Sequence, residues 1–585
     1  MAESLGDWKR TVTCGQLTAS AVGRRETLMG WVKSVRDLGG VIFVDMRDRH
    51  GVTQVVFRPD LLSAERMAEA GQISFEYVIA VKGTVERRPE GSRNPNMTTG
   101  EIEVLATELK VLNRASPLPF LPSDDPSASE ELRLRYRYLD LRADALQAVF
   151  ALRHGAYQSV RKCLSNEGFL EIETPMLVRP TPEGARDFLV PSRVHKGKFF
   201  ALPQSPQLYK QLLMVSGFDR YFQLARCLRD EDLRADRQPE HTQIDMEMSF
   251  CSEEDVFGVV ERMFSVVFEE NLGVKISVPF PRFSYDEAAA RFGTEKPDLR
   301  IPLEIADVTA AASSCGFSVL EEAVKAGGKV SCLAVPAKLS RKEITELETL
   351  AKEAGSGALF WARTSGVELE GGVSKSIGGE LAKQILGLSK TPGTVLLTSG
   401  ARAFEAMGSV RSNLGSKTRS DGPQFRFAWI TEFPLFDWNE EERRWEPTHH
   451  MFSMPREEYL EYLESDPGRV RGRVYDLVCN GVELGSGSMR IHSPELQVRV
   501  MKTVGLTAEE AQKRFGFLLE AMKFGAPPHG GIALGFDRIV MLMAGRDTIR
   551  DTIAFPKTTS ASSLMDGSPS EAEGKDLREL GIKLV

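Results

Sequence analysis

The sequence predicts a multidomain α/β protein with a β-barrel at the N-terminus, followed by an antiparallel-sheet domain that an inserted α/β segment splits in two. Three observations predict it. The chain has 585 residues, roughly four domains at about 150 residues each. Residues 1–114 are short strands separated by glycine-rich turns, the texture of a small barrel. Two well-patterned strand pairs, within 221–250 and 471–484, lie on either side of an alanine- and glycine-rich helical stretch. With 42% hydrophobic and 27% charged residues, a disordered, collagen-like or fibrous chain is excluded.

The barrel strands are read at LMGWVKSV, GVIFVDMRD, GVTQVVF, YVIAVKGTVE and IEVLATELKVL. The formal net charge of −8 argues against nucleic-acid binding through a global positive field. Residues 1–114, however, carry 16 basic against 15 acidic residues, so the acidity belongs to the remainder. Four prolines in ASPLPFLPSDDPSASEE mark a stiff, exposed linker, placed at 115–140. Beyond it Phe150, Tyr157, Val160 and Leu164 recur at helical spacing, with Gly168 as the stop. The split domain is read at 141–285 and 426–557, the insertion at 286–425, and a C-terminal extension at 558–585. Within the insertion, Ser340 and Glu343 form a capping box opening the amphipathic run ITELETLAKEAG. Ile377, Leu381 and Ile385 mark a second helix, and the insertion shows no chemical motif.

No apolar run approaches the ~18 residues of a membrane span, and MAESLGDWKR lacks the apolar core of a secretion signal. A soluble, cytoplasmic protein is expected. The seven cysteines are scattered, with neither CxxC nor a Cys/His cluster, so reduced thiols and no structural zinc are expected.

Chemistry concentrates in three places. YFQLARCLR and HTQIDMEMSF form a long-looped antiparallel hairpin; in its second strand His241, Gln243, Asp245, Glu247 and Ser249 alternate with mainly apolar residues. A solvated face would give the same alternation. The connecting loop mixes Arg229, Arg234 and Arg237 with five acids, a set suited to phosphates, a base and a metal. In VYDLVCNGVELG, Asn480–Gly481 is a two-residue turn pairing Cys479 with Val482 and Val478 with Glu483. Asp476 and Glu483 are then same-face diagonal neighbours at roughly 7–8 Å, and a hard cation such as Mg²⁺ would relieve their repulsion. Two exposed acids on a wet strand is the bland reading. GSGSMR follows with Arg490. In GGIALGFDRIVMLMAG a strand breaks at Gly535 into a helix opening with Asp537 and Arg538, well placed for a phosphate. His449 and His450 lack a metal-site context and point to substrate contact; His50, His195 and His529 are read as surface or structural.

Together these pieces resemble a class II aminoacyl-tRNA synthetase of the bacterial aspartyl type, over nearly the whole chain. NEGFLEIETPML, with Pro175, resembles the first class II motif, LRDEDLRADRQPEHTQID the second and GIALGFDR the third. TPEGARDF, QSPQLYK and the barrel motif RDLGGVIFVDMRD add to the match. The resemblance implies an OB-fold that reads the anticodon, a class II antiparallel-sheet catalytic domain, a GAD-like insertion, and a homodimer formed through the first motif. It implies aspartate activation by Mg²⁺-ATP and transfer to the 3′ end of tRNA(Asp).

Carried over residue by residue, Arg229 would contact the α-phosphate, Glu231 the adenine edge with Asp230 beside it, and Arg538 the γ-phosphate. Gln238, His241, Gly535, Phe536 and Asp537 would complete the ATP site, and Asp476 and Glu483 would hold Mg²⁺, with Glu483 also among the ATP contacts. Glu183, Ser205, Gln207, Lys210, Arg229, Asp245, His449 and Arg490 match the aspartate pocket. Lys210 with Arg490 would favour a carboxylate over an amide, and Asp245 would meet the substrate ammonium. Arg36, Phe43 and Gln54 match anticodon contacts, with Phe43 as a stacking platform or as barrel core.

Two departures stand out. His241 replaces the phenylalanine many members stack on adenine; imidazole still stacks, with a weaker and pH-dependent contribution expected. At the positions associated with tRNA choice, Leu38 looks like the strict type and Gly91 like the relaxed type that also charges tRNA(Asn). Lysyl- and asparaginyl-tRNA synthetases are disfavoured by Lys210 with Arg490, an ATP-dependent amide ligase by the barrel, and a non-catalytic tRNA-binding paralogue by the intact set Arg229, Glu231, Asp476, Glu483 and Arg538.

Overall fold

A computed structural model describes residues 2–584 apart from 125–126, 182–184, 234–235, 390 and 419–421. The chain divides into two units, Met1–Gln147 and Ala148–Val585.

In the first unit the alternating strands close on themselves. Strands β1 (Arg25–Leu38), β2 (Val41–Asp48), β3 (Gly51–Phe57), β4 (Val78–Arg87) and β5 (Ile102–Asn113) form a closed barrel in the order β1-β2-β3-β5-β4. All ladders are antiparallel except β3 with β5. Leu28, Val32, Val44, Met46, Val55, Phe57, Val81 and Val104 point inward and are fully buried, each at every second position as the pleat requires. Gly30 has no room for a side chain: a Cβ there would lie 2.2 Å from the Arg47 carbonyl oxygen.

The segment read as an exposed connector is in part structured. Residues 130–140 form two short helices, Glu130–Arg135 and Arg137–Asp140, and Arg137 and Asp140 make a buried ion pair at 2.5 Å. Arg142 and Arg47 both donate to the buried carboxylate of Glu76, at 2.5 and 2.6 Å. Two guanidiniums on one carboxylate satisfy its lone pairs and tie residue 142 to the barrel. The proline count carried no information on this downstream charge network.

In the second unit an eight-stranded sheet carries the candidate site. Its strands are β6 (Leu170–Glu171), β7 (Arg220–Leu228), β8 (Glu240–Ser249), β9 (Arg282–Ser284), β15 (Phe427–Thr431), β16 (Val474–Cys479), β17 (Val482–Met489) and β18 (His529–Gly535). Their order is β9-β15-β16-β17-β18-β8-β7-β6, antiparallel except at the two edges. One face packs on the helices Asp144–Asn166 and Glu253–Leu272, burying Ile244, Met246, Phe264, Trp429, Ile532 and Leu534. Gly168, at φ +83°, follows the first helix as the sequence required.

Strands β10 (Ile305–Asp307), β11 (Lys329–Val335), β12 (Leu359–Thr364), β13 (Leu369–Glu370) and β14 (Gly393–Gly400) make a separate five-stranded sheet, in the order β10-β11-β14-β12-β13. Two apolar clusters flank it, one including Leu333, Leu347 and Val410, the other Val330, Leu381 and Ile385. The Ser340 capping box opens a helix over Arg341–Glu353. The second helix spans Gly379–Leu388 and leaves Ile377 just before it. Helix Tyr285–Phe292, inside the segment assigned to the insertion, packs instead with Ile430, Phe433 and Leu435 beside the large sheet. Among the described residues no helix is long and apolar enough to cross a membrane.

Candidate active site

The polar face of β8 is the floor of a cavity of about 620 Å³, within the size range of small-molecule sites. Asp245 and Glu247 are fully buried, so the alternation read from the sequence is not a solvated face. Register explains what surrounds them: β8 lies between β7 and β18, with Asp245 opposite Gln223 and Ala533. Glycines at 530, 531 and 535 keep the β18 side open, and a Cβ on Gly531 would meet the Glu247 carboxylate at 2.2 Å.

Four buried charges form one cluster there. Arg490 donates from Nε and Nη2 to the two oxygens of Glu247 at 2.9 and 3.2 Å. Lys210, on the helix Gln207–Val215, donates to Asp245 at 3.0 Å and lies 3.3 Å from Glu247. Burial pushes Asp245 up to about 6, with Lys210 opposing. Burial acts on Glu247 too, but Arg490 and Lys210 outweigh it and hold the carboxyl below its ordinary value. Arg490 Nη1 donates to His450 Nε2 and Ser488 Oγ, both at 2.6 Å. His450 is thereby an acceptor, and burial beside Arg490 keeps its pKa well below the ordinary value. Glu247 was visible in the sequence as part of the polar face, yet only the fold shows that it anchors both cations.

The same cavity is lined by Ser205, Gln207, Arg229, Glu231, Gln238, His241, His449, Glu483, Gly535, Asp537 and Arg538. The structure therefore gathers most of the residues singled out from sequence. Several are already engaged. Glu231 pairs with Arg237 at 3.0 Å and Arg538 with Asp236 at 3.3 Å. Gln238 holds the backbone of Lys557 through both ends of its amide. Asp537 accepts from Arg153 and from the Thr242 amide, which fixes the start of the helix Phe536–Met543 against β8. Two residues do not fit as read, and a third lies outside what the structure describes. The Phe536 ring is buried against Tyr157 in the core, so its side chain does not face the cavity. Asp230 is exposed and lies outside the cavity lining. Glu183 falls outside the described residues.

His241 differs from expectation in its titration. Burial, then the positive charges of Arg229, Arg538 and Arg226, lower its pKa to about 3. The ring is neutral throughout the working range, and pH dependence from it is removed.

The turn at Asn480–Gly481 pairs Cys479 with Val482 and Val478 with Glu483, as read. One residue further the ladder bulges: Leu477 faces Gly485 and Asp476 faces Ser486. Asp476 and Glu483 still share a face, but an extra residue separates them, so the simple diagonal spacing does not hold. Asp476 is buried with Oδ1 making no hydrogen bond, and His449 Nε2 lies 3.4 Å away. Burial lowers the His449 pKa, but Asp476 outweighs it and leaves a net rise. Glu483 lies 3.8 Å from Arg538 and 3.6 Å from Lys296. Lys296 was not foreseen, because it comes from the stretch in which no motif was visible.

In the barrel, Ile42 and Val44 point inward and Phe43 between them points outward, half-buried, opposite Arg36 and Val56. It is not barrel core. Arg36 donates to Gln54 at 3.1 Å and to Asp45 at 3.3 Å. Phe43, Arg36 and Gln54 thus share one outer patch, a platform with a cation beside it. Leu38 is exposed at the end of β1, and Gly91 sits in an exposed turn where an added Cβ would meet nothing within 4 Å.

Residues 129–559 match the family described as tRNA synthetases class II (D, K and N), and residues 26–112 match the OB-fold nucleic acid binding domain. The chain is 48% identical, over 100% of its length and 99% of the relative's, to the aspartate–tRNA(Asp/Asn) ligase of Syntrophotalea carbinolica. To the ligase of the same description from Anoxybacillus flavithermus it is 49% identical, over 98% of both chains. Among solved structures, asparaginyl-tRNA synthetase from Pyrococcus horikoshii complexed with asparaginyl-adenylate aligns with a TM-score of 0.61 at 19% identity, over 94% of this chain and 98% of that one. The aspartyl-tRNA synthetase from Entamoeba histolytica aligns at 0.57 and 19%, over 94% and 91%. The fold is shared with these structures, and the full-length identity places the chain more narrowly: it belongs to the aspartyl-tRNA synthetases of bacterial type, within the class II synthetases for aspartate, lysine and asparagine.

Proposed function

We propose that this enzyme activates L-aspartate with ATP and transfers it to both tRNA(Asp) and tRNA(Asn). The observation that carries the aspartate assignment is the buried pair of cations, Lys210 and Arg490, at the floor of a cavity whose rim holds Arg229 and Arg538. A carboxylate side chain would take charge-assisted bonds from the Arg490 fork, whereas an amide would leave the cations underpaired. Asp245 Oδ1 is buried without a partner, which suits the substrate ammonium. The breadth of tRNA use is supported by the relatives described as acting on tRNA(Asp/Asn) and by the small, open position at Gly91.

In the first step an α-carboxylate oxygen of aspartate attacks the α-phosphorus of ATP, and the bond to the bridging oxygen breaks as pyrophosphate leaves with its electron pair. Arg229 would neutralise the α-phosphate and Arg538 the terminal one, so catalysis is mainly positioning and charge stabilisation. The terminal adenosine of the tRNA then takes the aspartyl group, releasing AMP. Among the described residues no group of three or more His, Cys, Asp or Glu side chains is placed to hold a metal. Two hard carboxylates, one with a buried oxygen that makes no hydrogen bond and has only His449 at 3.4 Å beside it, fit an ion that keeps phosphate and water ligands. Asp476 and Glu483 would hold Mg²⁺, which supplies charge neutralisation to the phosphates when bound. A homodimer formed through residues 166–177 is part of this reading.

Pyrophosphate exchange with aspartate or asparagine, followed by charging of the two purified tRNAs, tests it. Exchange that depends on aspartate alone, with both tRNAs charged, is expected. Exchange independent of aspartate would end the substrate assignment, and charging of tRNA(Asp) only would end the broader one.

A further inference from the structure

We infer that Lys296, delivered by the loop that leads into the inserted domain, binds the pyrophosphate portion of ATP and is a further catalytic residue of the activation step. The inference rests on the activity proposed above and adds a residue to it. Lys296 lines the cavity with Arg229, Arg237 and Arg538. Its ammonium lies 3.6 Å from Glu483 and 3.5 Å from Glu295, and its side chain remains 42% exposed. Both contacts are long for hydrogen-bonded ion pairs, and a half-exposed pair of this kind contributes little. The cation is therefore held near the site without being committed to a partner. A pyrophosphate group offers several anionic oxygens where Glu483 offers one carboxylate, so exchange of partners favours the phosphate. The flexible four-carbon stem of lysine permits the short movement required.

The loop itself is fixed, which distinguishes Lys296 from a passing surface lysine. Gly293 has φ +69°, and a Cβ on it would lie 2.2 Å from the Phe404 carbonyl oxygen and 2.6 Å from Gly408 Cα. The loop start is thus seated directly on the helix Ala403–Thr418 of the insertion. From the same helix Arg411, fully buried, donates to the carbonyls of Leu303, Ile301 and Asp298 at 2.6, 2.9 and 3.0 Å. On its other side the loop meets the turn between β16 and β17: a Cβ on Gly481 would lie 3.8 Å from the Lys296 carbonyl oxygen. The insertion therefore grips a segment whose one inward-reaching cation stands over the candidate phosphate site, beside the proposed metal carboxylate.

The test compares Lys296→Ala, Lys296→Gln and Lys296→Arg in the full-length protein. Binding of inorganic pyrophosphate with magnesium chloride is read by calorimetry, and exchange kinetics by the KM for pyrophosphate and for aspartate. The expected result is at least a tenfold weaker pyrophosphate Kd and tenfold higher pyrophosphate KM in the Ala and Gln variants, an aspartate KM within twofold of the parent, and recovery to within threefold in Lys296→Arg. Pyrophosphate binding unchanged within twofold would overturn the inference, as would a parallel rise in aspartate KM or failure of arginine to rescue. Because pyrophosphate binding is measured without aspartate, it remains decisive if the parent shows no aspartate-dependent exchange, an outcome that would instead sink the proposed activity.

Discussion

Arg490→Met separates what Arg490 does for the fold from what it does for substrate. Both Arg490 and Glu247 are about 1% exposed or less, so removing the guanidinium strands a buried carboxylate, and such breaks cost about 3–5 kcal/mol. For substrate, the loss is a fork of two charge-assisted hydrogen bonds at about 1.5–3 kcal/mol each. At about 1.4 kcal/mol per decade, that corresponds to a fall on the order of 10²–10⁴-fold in kcat/KM for aspartate. The single variant confounds the two effects, so Arg490→Met is paired with Glu247→Leu. The double variant removes both charges, leaves Lys210 on Asp245 at 3.0 Å, and fills the space with apolar groups, a replacement that is often neutral or stabilising. Thermal melting should show a lowered Tm in Arg490→Met and recovery of more than half of the loss in the double variant. Aspartate-dependent exchange should stay depressed at least 100-fold in both, with ATP affinity in the double variant within threefold of the parent. If the double variant regains aspartate kcat/KM to within tenfold, Arg490 only supports the pocket and the selectivity reasoning is refuted.

Three further predictions concern other parts of the site. Asp245 titrates at about 6 in the free enzyme, raised by burial, so it is ionised and able to meet the substrate ammonium above that pH and protonated below it. A pH profile of kcat/KM for aspartate should fall about tenfold per unit below about pH 6, whereas a flat profile down to pH 5 would contradict the assigned role. His241, at about 3, stays neutral above pH 5; ATP affinity should show no histidine-like inflection between pH 5 and 8, and His241→Phe should change it less than tenfold by calorimetry. Gly91→Gln occupies open space at an exposed turn, so it should fold with an unchanged Tm, keep tRNA(Asp) charging, and lower tRNA(Asn) charging at least fivefold. Equal charging ratios in parent and variant would remove Gly91 from tRNA choice.

The parts of this molecule legible in sequence are those set by local periodicity. The five barrel strands alternate with a period of two because one face is buried, and Asn480–Gly481 names its own turn; Asn480 has φ +54° and Gly481 φ +85°. The bulge one residue later was not legible. An unpaired residue leaves each strand's own composition intact, and its position is set by the neighbouring strand β18, which pairs with Gly485 through Leu534. The polar face of β8 was visible but ambiguous, since His241, Gln243, Asp245 and Glu247 would alternate identically on a wet sheet. Contact with Lys210, from a separate helix, and with Arg490, far along the chain, decides it. Lys296 was hidden for the same reason: its meaning lies in contact with Glu483, and nothing in its neighbours Glu295 and Pro297 announces chemistry. Phe536 was assigned with its motif as a block, although the helix it opens turns that ring toward Tyr157.

The buried quartet of Lys210, Arg490, Asp245 and Glu247 behaves like an ion exchanger stored in its salt form. Each fixed cation arrives with a resident counter-ion, so the quartet itself has little net charge. On the proposed reading an incoming carboxylate would not fall into an open positive hole; it would compete with Glu247 for the same guanidinium. Substrate choice is then set by the difference between two carboxylates, one covalently held and one dissolved. Specificity can accordingly drift through changes behind the cations, at positions that never touch the substrate side chain, and redesign toward another amino acid would begin with Glu247 and its setting in β8 before Arg490 itself.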